Sequence, residues 1–105
     1  MIEVLNQRDE KVNRDFNGCF YHISRGKSIL GNPFKIGVDG DRDEVIEKFR
    51  IMLWALIQDQ EDGVIETLNH IIELEKKYGN VGLLCWCKPK RCHGDIILSC
   101  VNWMK

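Results

Sequence analysis

A chain of 105 residues with 44% hydrophobic and 30% charged side chains can bury one core and is expected to form a single domain over residues 1–105. Fifteen Lys and Arg against sixteen Asp and Glu leave a formal net charge of −1, which argues against bulk nucleic-acid binding but leaves room for a local basic patch. The segment Met1 to Arg8 turns polar too soon for a signal peptide, no apolar run approaches the roughly 20 residues that span a bilayer, and five cysteines without secretory context read as reduced thiols in a cytoplasmic compartment.

Met1 to Leu5 has the composition of a short first strand, and the polar run Asn6 to Asp15 reads as a turn or loop. Asn17-Gly18 signals a turn, after which Cys19 to Ser24, rich in aromatic and β-branched residues, predicts a second strand. Arg25-Gly26-Lys27 leaves its carboxyl end with two cations, and His22 reads as an ordinary strand histidine. In Gly31-Asn32-Pro33-Phe34 the glycine permits close backbone approach and the proline holds Asn32 extended. The Asn32 amide can then read a ribose hydroxyl or a base edge, or the segment is a tight turn with Phe34 plugging the core.

Asp41 followed by Glu44 has the form of a capping box and predicts a helix from about Arg42 to Gln58. Its buried stripe is Val45, Phe49, Met52, Leu53 and Leu56, widened by Ile46 and Ile57. The acidic run Asp59 to Gly63 reads as a loop. A second helix from about Val64 to Tyr78 buries Ile65, Leu68, Ile71 and Ile72, and Gly79-Asn80 stops it. Val81 to Cys87 is a near-continuous apolar run, as in a strand covered on both faces, and Pro89 ends it. Ile96, Ile97, Cys100, Val101 and Met104 then recur at helical spacing, so a last helix from Gly94 to Trp103 is expected.

The order strand, strand, helix, helix, strand, helix predicts an α/β layered fold. Its short, mostly parallel sheet has about three strands and is covered by about three helices. A right-handed crossover through the two central helices makes the second and third strands parallel, and brings Arg25-Gly26 and the Cys92-His93 corner to one edge of the sheet. Ligands bind beyond the carboxyl ends of strands in such sheets. Lys88, Lys90 and Arg91 lie in the loop before the last helix, whose free N–H groups and positive dipole end suit an anion.

Val12-Asn13-Arg14, Tyr21 through Arg25-Gly26, Gly31-Asn32-Pro33-Phe34 and Leu84-Cys85-Trp86-Cys87-Lys88-Pro89-Lys90-Arg91-Cys92-His93-Gly94-Asp95 resemble the small domain family of unknown function numbered 4326, found in bacteriophages and microbes. Here Ile29-Leu30 precedes Gly-Asn-Pro where that family often has an aromatic. The Cys-His corner is also similar to the Cys-His-Arg corner of the uncharacterised family numbered 488, with Gly94 in place of the arginine. The resemblance implies a phage-type or bacterial cytoplasmic protein, in the host cytoplasm if phage-encoded, whose marked positions gather on one site.

The leading functional expectation is a nucleotide or nucleoside-phosphate site, bound by Arg25, Gly26, Gly31, Asn32, Lys88, Arg91 and Gly94. It serves either a nucleotide-processing enzyme or a protein that sequesters the ligand. For catalysis the candidates are Cys92 as nucleophile, because a helix N-terminus and cations lower a thiol pKa, His93 as general acid or base, and Asp95 to orient it or activate a water. The structural alternative for Cys92 is a small buried hydrophobe. No cofactor is required. Zinc on Cys85, Cys87, Cys92 and His93 is the alternative, though C-x-C-x₄-C-H is not the spacing of two separated knuckles. A structural or interaction module that inhibits a host protein, or a homo-oligomer with Trp54 and Trp103 at a contact patch, are further options.

Overall fold

The computed structural model of the chain describes every residue except Arg25, Lys27, Lys88 and Pro89, and excepts also the side chains of Lys11 and Val12. The described elements in chain order are β1 (Ile2–Asn6), α1 (Glu10–Asp15), β2 (Cys19–His22), α2 (Arg42–Gln58), α3 (Asp62–Tyr78), β3 (Val81–Cys85) and α4 (His93–Met104). The strands form one parallel sheet in the order β1-β3-β2, with Ile2 and Cys19 both in register with Val81. The expected parallel pairing of the second and third strands is therefore present, and the last strand lies in the middle.

Central position explains the apolar run. Every residue of β3 is buried, because both of its faces are covered. Side chains alternate along a strand. Ile2 on β1 and Val81, Leu83 and Cys85 on β3 join Phe49 and Leu53 of α2, Leu68 and Ile71 of α3, and Ile97 and Val101 of α4 in one buried cluster. On the other face Gly82 leaves room for Leu5, Phe20 and Phe16. The Phe16 and Phe20 rings lie 5.4 Å apart there.

Asp41 caps α2 as expected: its carboxylate accepts from the Glu44 N–H, and the Glu44 side chain accepts from the Asp41 N–H. Val45, Ile46, Phe49, Leu53 and Ile57 are buried in α2, while Met52 and Leu56 are half-buried at the margins of the stripe. Gly79 ends α3 with φ +85°, a conformation that favours glycine.

Several boundaries differ from the sequence reading. Asn6 to Asp15 is not wholly loop, since Glu10–Asp15 forms α1. With Val12 as its one apolar residue, that turn has no periodicity to reveal it. β2 ends at His22 instead of Ser24, and β3 at Cys85 instead of Cys87. The helix α3 starts at Asp62, inside the presumed acidic loop. The predicted stop at Pro89 lies outside the described residues. Among the described residues no helix is long and apolar enough to cross a membrane.

Candidate ligand site

Three pieces of chain converge at the carboxyl ends of β2 and β3. Beyond β2, the Ile23 N–H still donates to the Leu84 carbonyl at 3.1 Å, so Ser24 is held beside the end of β3. The loop from Ser28 to Asp41 returns over this edge, anchored by the buried Leu30. Beyond β3, the chain turns at Trp86 and reaches α4 at Cys92. Between them is a cavity of about 430 Å³. Ser24, Asn32, Phe34, Lys35, Ile36 and Val38 line it on one side, and Arg42, Val45 and Ile46 of α2 on another. Cys85, Trp86, Cys87, Cys92 and His93 complete the wall.

Most polar groups at the start of α4 are engaged within the protein. Cys92 is the N-cap: its sulfur accepts from the Gly94 N–H at 3.3 Å, and the Asp95 carboxylate accepts from the Cys92 N–H at 3.1 Å. This is a capping box with sulfur in the place of the usual oxygen. The Asp95 charge also opposes the positive end of the helix dipole. Together these features engage the Cys92 and Gly94 N–H groups and oppose part of the field that had suggested an anion site here. Gly94 is buried, and a Cβ on it would stand 2.8 Å from Ile23 Cδ1 and 2.9 Å from Val4 Cγ1. It is the point where the helix touches the sheet.

Cys85 and Cys92 are both buried, with their sulfurs 3.2 Å apart. The hydrogen bond shared with Cys85, followed by burial, pushes the Cys92 thiol well above the ordinary range, and the Gly94 N–H opposes this only in part. The surroundings thus reverse the lowering expected of a thiol at a helix N-terminus: Cys92 is held as a protonated thiol. The reason is the buried partner, which sequence spacing does not reveal.

His93 is buried, and its Nε2 lies 2.7 Å from the Ile23 carbonyl. A carbonyl only accepts, so Nε2 carries the proton and the tautomer is fixed. The edge of the ring meets Phe49, with centroids 5.1 Å apart. His93 therefore fastens β2 to α4 while one side of it faces the cavity. Cys85 and Cys92 are adjacent, but among the described residues no three His, Cys, Asp or Glu side chains are grouped to hold a metal ion.

The other expected ligand residues fall in different places. Asn32 lines the cavity, but its Oδ1 accepts from the Phe34 N–H at 2.9 Å and its Nδ2 donates to the Val45 carbonyl at 3.4 Å. The amide thus ties the loop to α2. The Gly31 N–H closes a turn onto the Ser28 carbonyl at 3.0 Å, and Gly26 is exposed with φ +80°. Arg91 is exposed and pairs with Asp43 at 3.2 Å, while its carbonyl accepts from Arg42. Arg25 and Lys88 lie outside the described residues.

Three cavity groups were not singled out from sequence. The Ser24 side chain is buried, and its hydroxyl has no hydrogen-bond partner among the described residues. Lys35 and Arg42 add cationic side chains to the wall. Ser24 had a readable signal, since it follows a predicted strand at the sheet's ligand-binding edge. Arg42 had none, because its place depends on how α2 packs. Beside the cavity, half-exposed Trp86 carries the Arg8 guanidinium 4.5 Å from its ring centre.

The family model described as Domain of unknown function (DUF4326) matches residues 3–103, and the chain belongs to this family. A transcription antitermination protein NusB of Fervidobacterium nodosum is 32% identical over 85 residues, covering 74% of the present chain and 60% of that protein. The chain therefore spans less than two thirds of that relative. No solved structure matches.

Proposed function

We propose that this protein binds a nucleotide or nucleoside-phosphate in the cavity at the carboxyl ends of β2 and β3. The observation that carries the reading is the Ser24 hydroxyl, buried without a partner among the described residues in an otherwise largely apolar cavity. An unmet buried hydroxyl costs stability, and a ligand atom is its natural partner. A cavity of about 430 Å³ lined by Phe34, Ile36 and Val45 suits a flat heterocycle, and Lys35 and Arg42 supply charge for a phosphate. With the Cys92 thiol held protonated, sequestration of the ligand is favoured over covalent processing through that sulfur. Under this reading the protein acts in the cytoplasm. The name of the Fervidobacterium protein concerns transcription antitermination, but a net charge of −1 gives no support for extending nucleic-acid binding to this chain.

Isothermal titration with nucleoside mono-, di- and triphosphates, the parent nucleosides and inorganic phosphate tests the proposal. Binding of a nucleoside phosphate is expected, weakened roughly 2- to 10-fold by Ser24→Ala as one neutral hydrogen bond is lost. Arg42→Ala is expected to weaken it by about 10- to 100-fold, the range of a charge-assisted bond. Absence of binding at millimolar nucleotide, or equal affinity in both variants, refutes the proposal.

A further inference from the structure

We infer that Cys85 and Cys92 are a covalent modification site, at which the two thiols close into a reversible intramolecular disulfide in the cavity wall. The cysteines are thiols and none is joined in a disulfide, and these two sulfurs are in contact at 3.2 Å. Each is held by a different element. Cys85 is the last residue of β3, fixed in register opposite Asn6 on β1. Cys92 is the N-cap of α4, fixed by its bonds with Gly94 and Asp95. Neither sulfur must search for the other, and bringing them to the bonded distance of about 2.05 Å requires a short approach and no rearrangement of the fold.

Both thiols are buried from the outer surface but line the cavity, so a small oxidant reaches them through it. The oxidant is a low-molecular-weight disulfide such as glutathione disulfide. One cysteine loses its proton and attacks a glutathione sulfur, releasing one glutathione thiolate. The second cysteine displaces the other glutathione from the mixed disulfide. Two protein thiols and one glutathione disulfide thus become one protein disulfide and two glutathione thiols, with two electrons passing to glutathione. The Gly94 N–H stabilises the Cys92 thiolate needed on this path, whereas burial and Cys85 oppose it, so exchange is slow without a catalyst. The inference stands apart from the nucleotide reading, since it needs only the cavity and the two sulfurs.

Reduced protein is treated with glutathione disulfide, denatured, alkylated with iodoacetamide and digested for mass spectrometry. Untreated protein is expected to carry five alkyl groups, one for each cysteine, and treated protein three, with the Cys85 and Cys92 peptides joined and the protein lighter by two hydrogens. Dithiothreitol is expected to restore all five. Cys92→Ser keeps a side chain suited to capping α4, so it tests the pair in a folded protein; it and Cys85→Ser are each expected to form no intramolecular disulfide, and the variant that keeps the attacking cysteine to stop at the glutathione mixed disulfide. Five alkylated thiols in treated parent protein, or a linkage that joins Cys87, Cys19 or Cys100 instead, overturns the inference.

Discussion

Gly94→Ala separates two meanings of the Cys-His-Gly-Asp corner. If the glycine serves close approach of a ligand, an added methyl affects binding and leaves the unliganded protein as stable as before. The structure gives it another task. The new Cβ would stand 2.8 Å from Ile23 Cδ1, 2.9 Å from Val4 Cγ1 and 3.2 Å from the Cys92 sulfur. Ile23 is fully buried and cannot swing its terminal methyl into solvent, and the Cys92 sulfur is held by its own cap. Overpacking of this kind costs about 1–3 kcal/mol. The better helix propensity of alanine offsets part of it, at most about 1 kcal/mol in a helix interior and less in a first turn. With an offset of about 0.5 kcal/mol in the first turn, a net loss of roughly 0.5–2.5 kcal/mol remains, which lowers the thermal midpoint of a domain this size by about 2–20 °C. Ligand-free thermal unfolding, followed by circular dichroism, reads the change directly. A midpoint within about 1 °C of the parent would refute the packing role and return Gly94 to the ligand.

Replacing Cys92 tests the cap in the same assay: Cys92→Ser is expected to be more stable than Cys92→Ala by about 0.5–2 kcal/mol, and equal stability would mean that the sulfur does not cap α4. The buried thiols also set an alkaline limit. Burial pushes Cys100 up to about 11, and the Cys92 thiol is raised by Cys85 and burial. A raised folded-state pKa contributes stability that is complete below the unfolded thiol value of about 8.5 and is lost as pH rises toward the folded values, by up to about 1.4 kcal/mol per pH unit for each thiol. Urea unfolding between pH 7 and 10 is therefore expected to show a flatter decline for Cys92→Ser than for the parent, and parallel curves would remove Cys92 from this role. Because no three His, Cys, Asp or Glu side chains are grouped to hold a metal ion among the described residues, protein purified without chelator or added metal is expected to hold far less than one zinc per chain. One equivalent by plasma mass spectrometry would restore the metal reading.

Where hydrophobic spacing and capping chemistry agreed, the sequence was legible. Asp41 with Glu44, and the stripe of Ile96, Ile97, Cys100 and Val101, located α2 and α4 to within about two residues, and the fully apolar β3 pointed to a parallel, doubly covered strand. Short elements without a stripe were not legible, and α1 is the example. At the site, sequence placed Cys92 and His93 correctly at a strand-to-helix corner. It did not reveal that Cys92 meets Cys85, that His93 reaches back to the Ile23 carbonyl, or that Asn32 is engaged with Phe34 and Val45. Each is a contact set by three-dimensional packing, and each changes what the side chain offers a ligand. Arg42 shows the converse, for it appears in sequence as an ordinary first-turn residue of a capped helix.

Under the proposed function the corner and the cavity divide the work between fastening and recognition. Cys92, His93, Gly94 and Asp95 direct polar groups inward: sulfur to N–H, carboxylate to N–H, imidazole to carbonyl, with glycine allowing the close approach. A fastening of this kind holds the walls formed by Trp86 and Cys87 on one chain segment and by Ser24 on another in a fixed relation. Pre-organised walls lower the ordering cost of binding, so a corner of this kind would contribute to the affinity of the proposed ligand without having to touch it. In this reading, substitutions at Gly94 or Asp95 act on stability first and on binding through it. Ser24→Ala does the opposite: it removes a buried hydroxyl that has no partner among the described residues, which relieves the unliganded protein, and withdraws a group that the proposed ligand would satisfy.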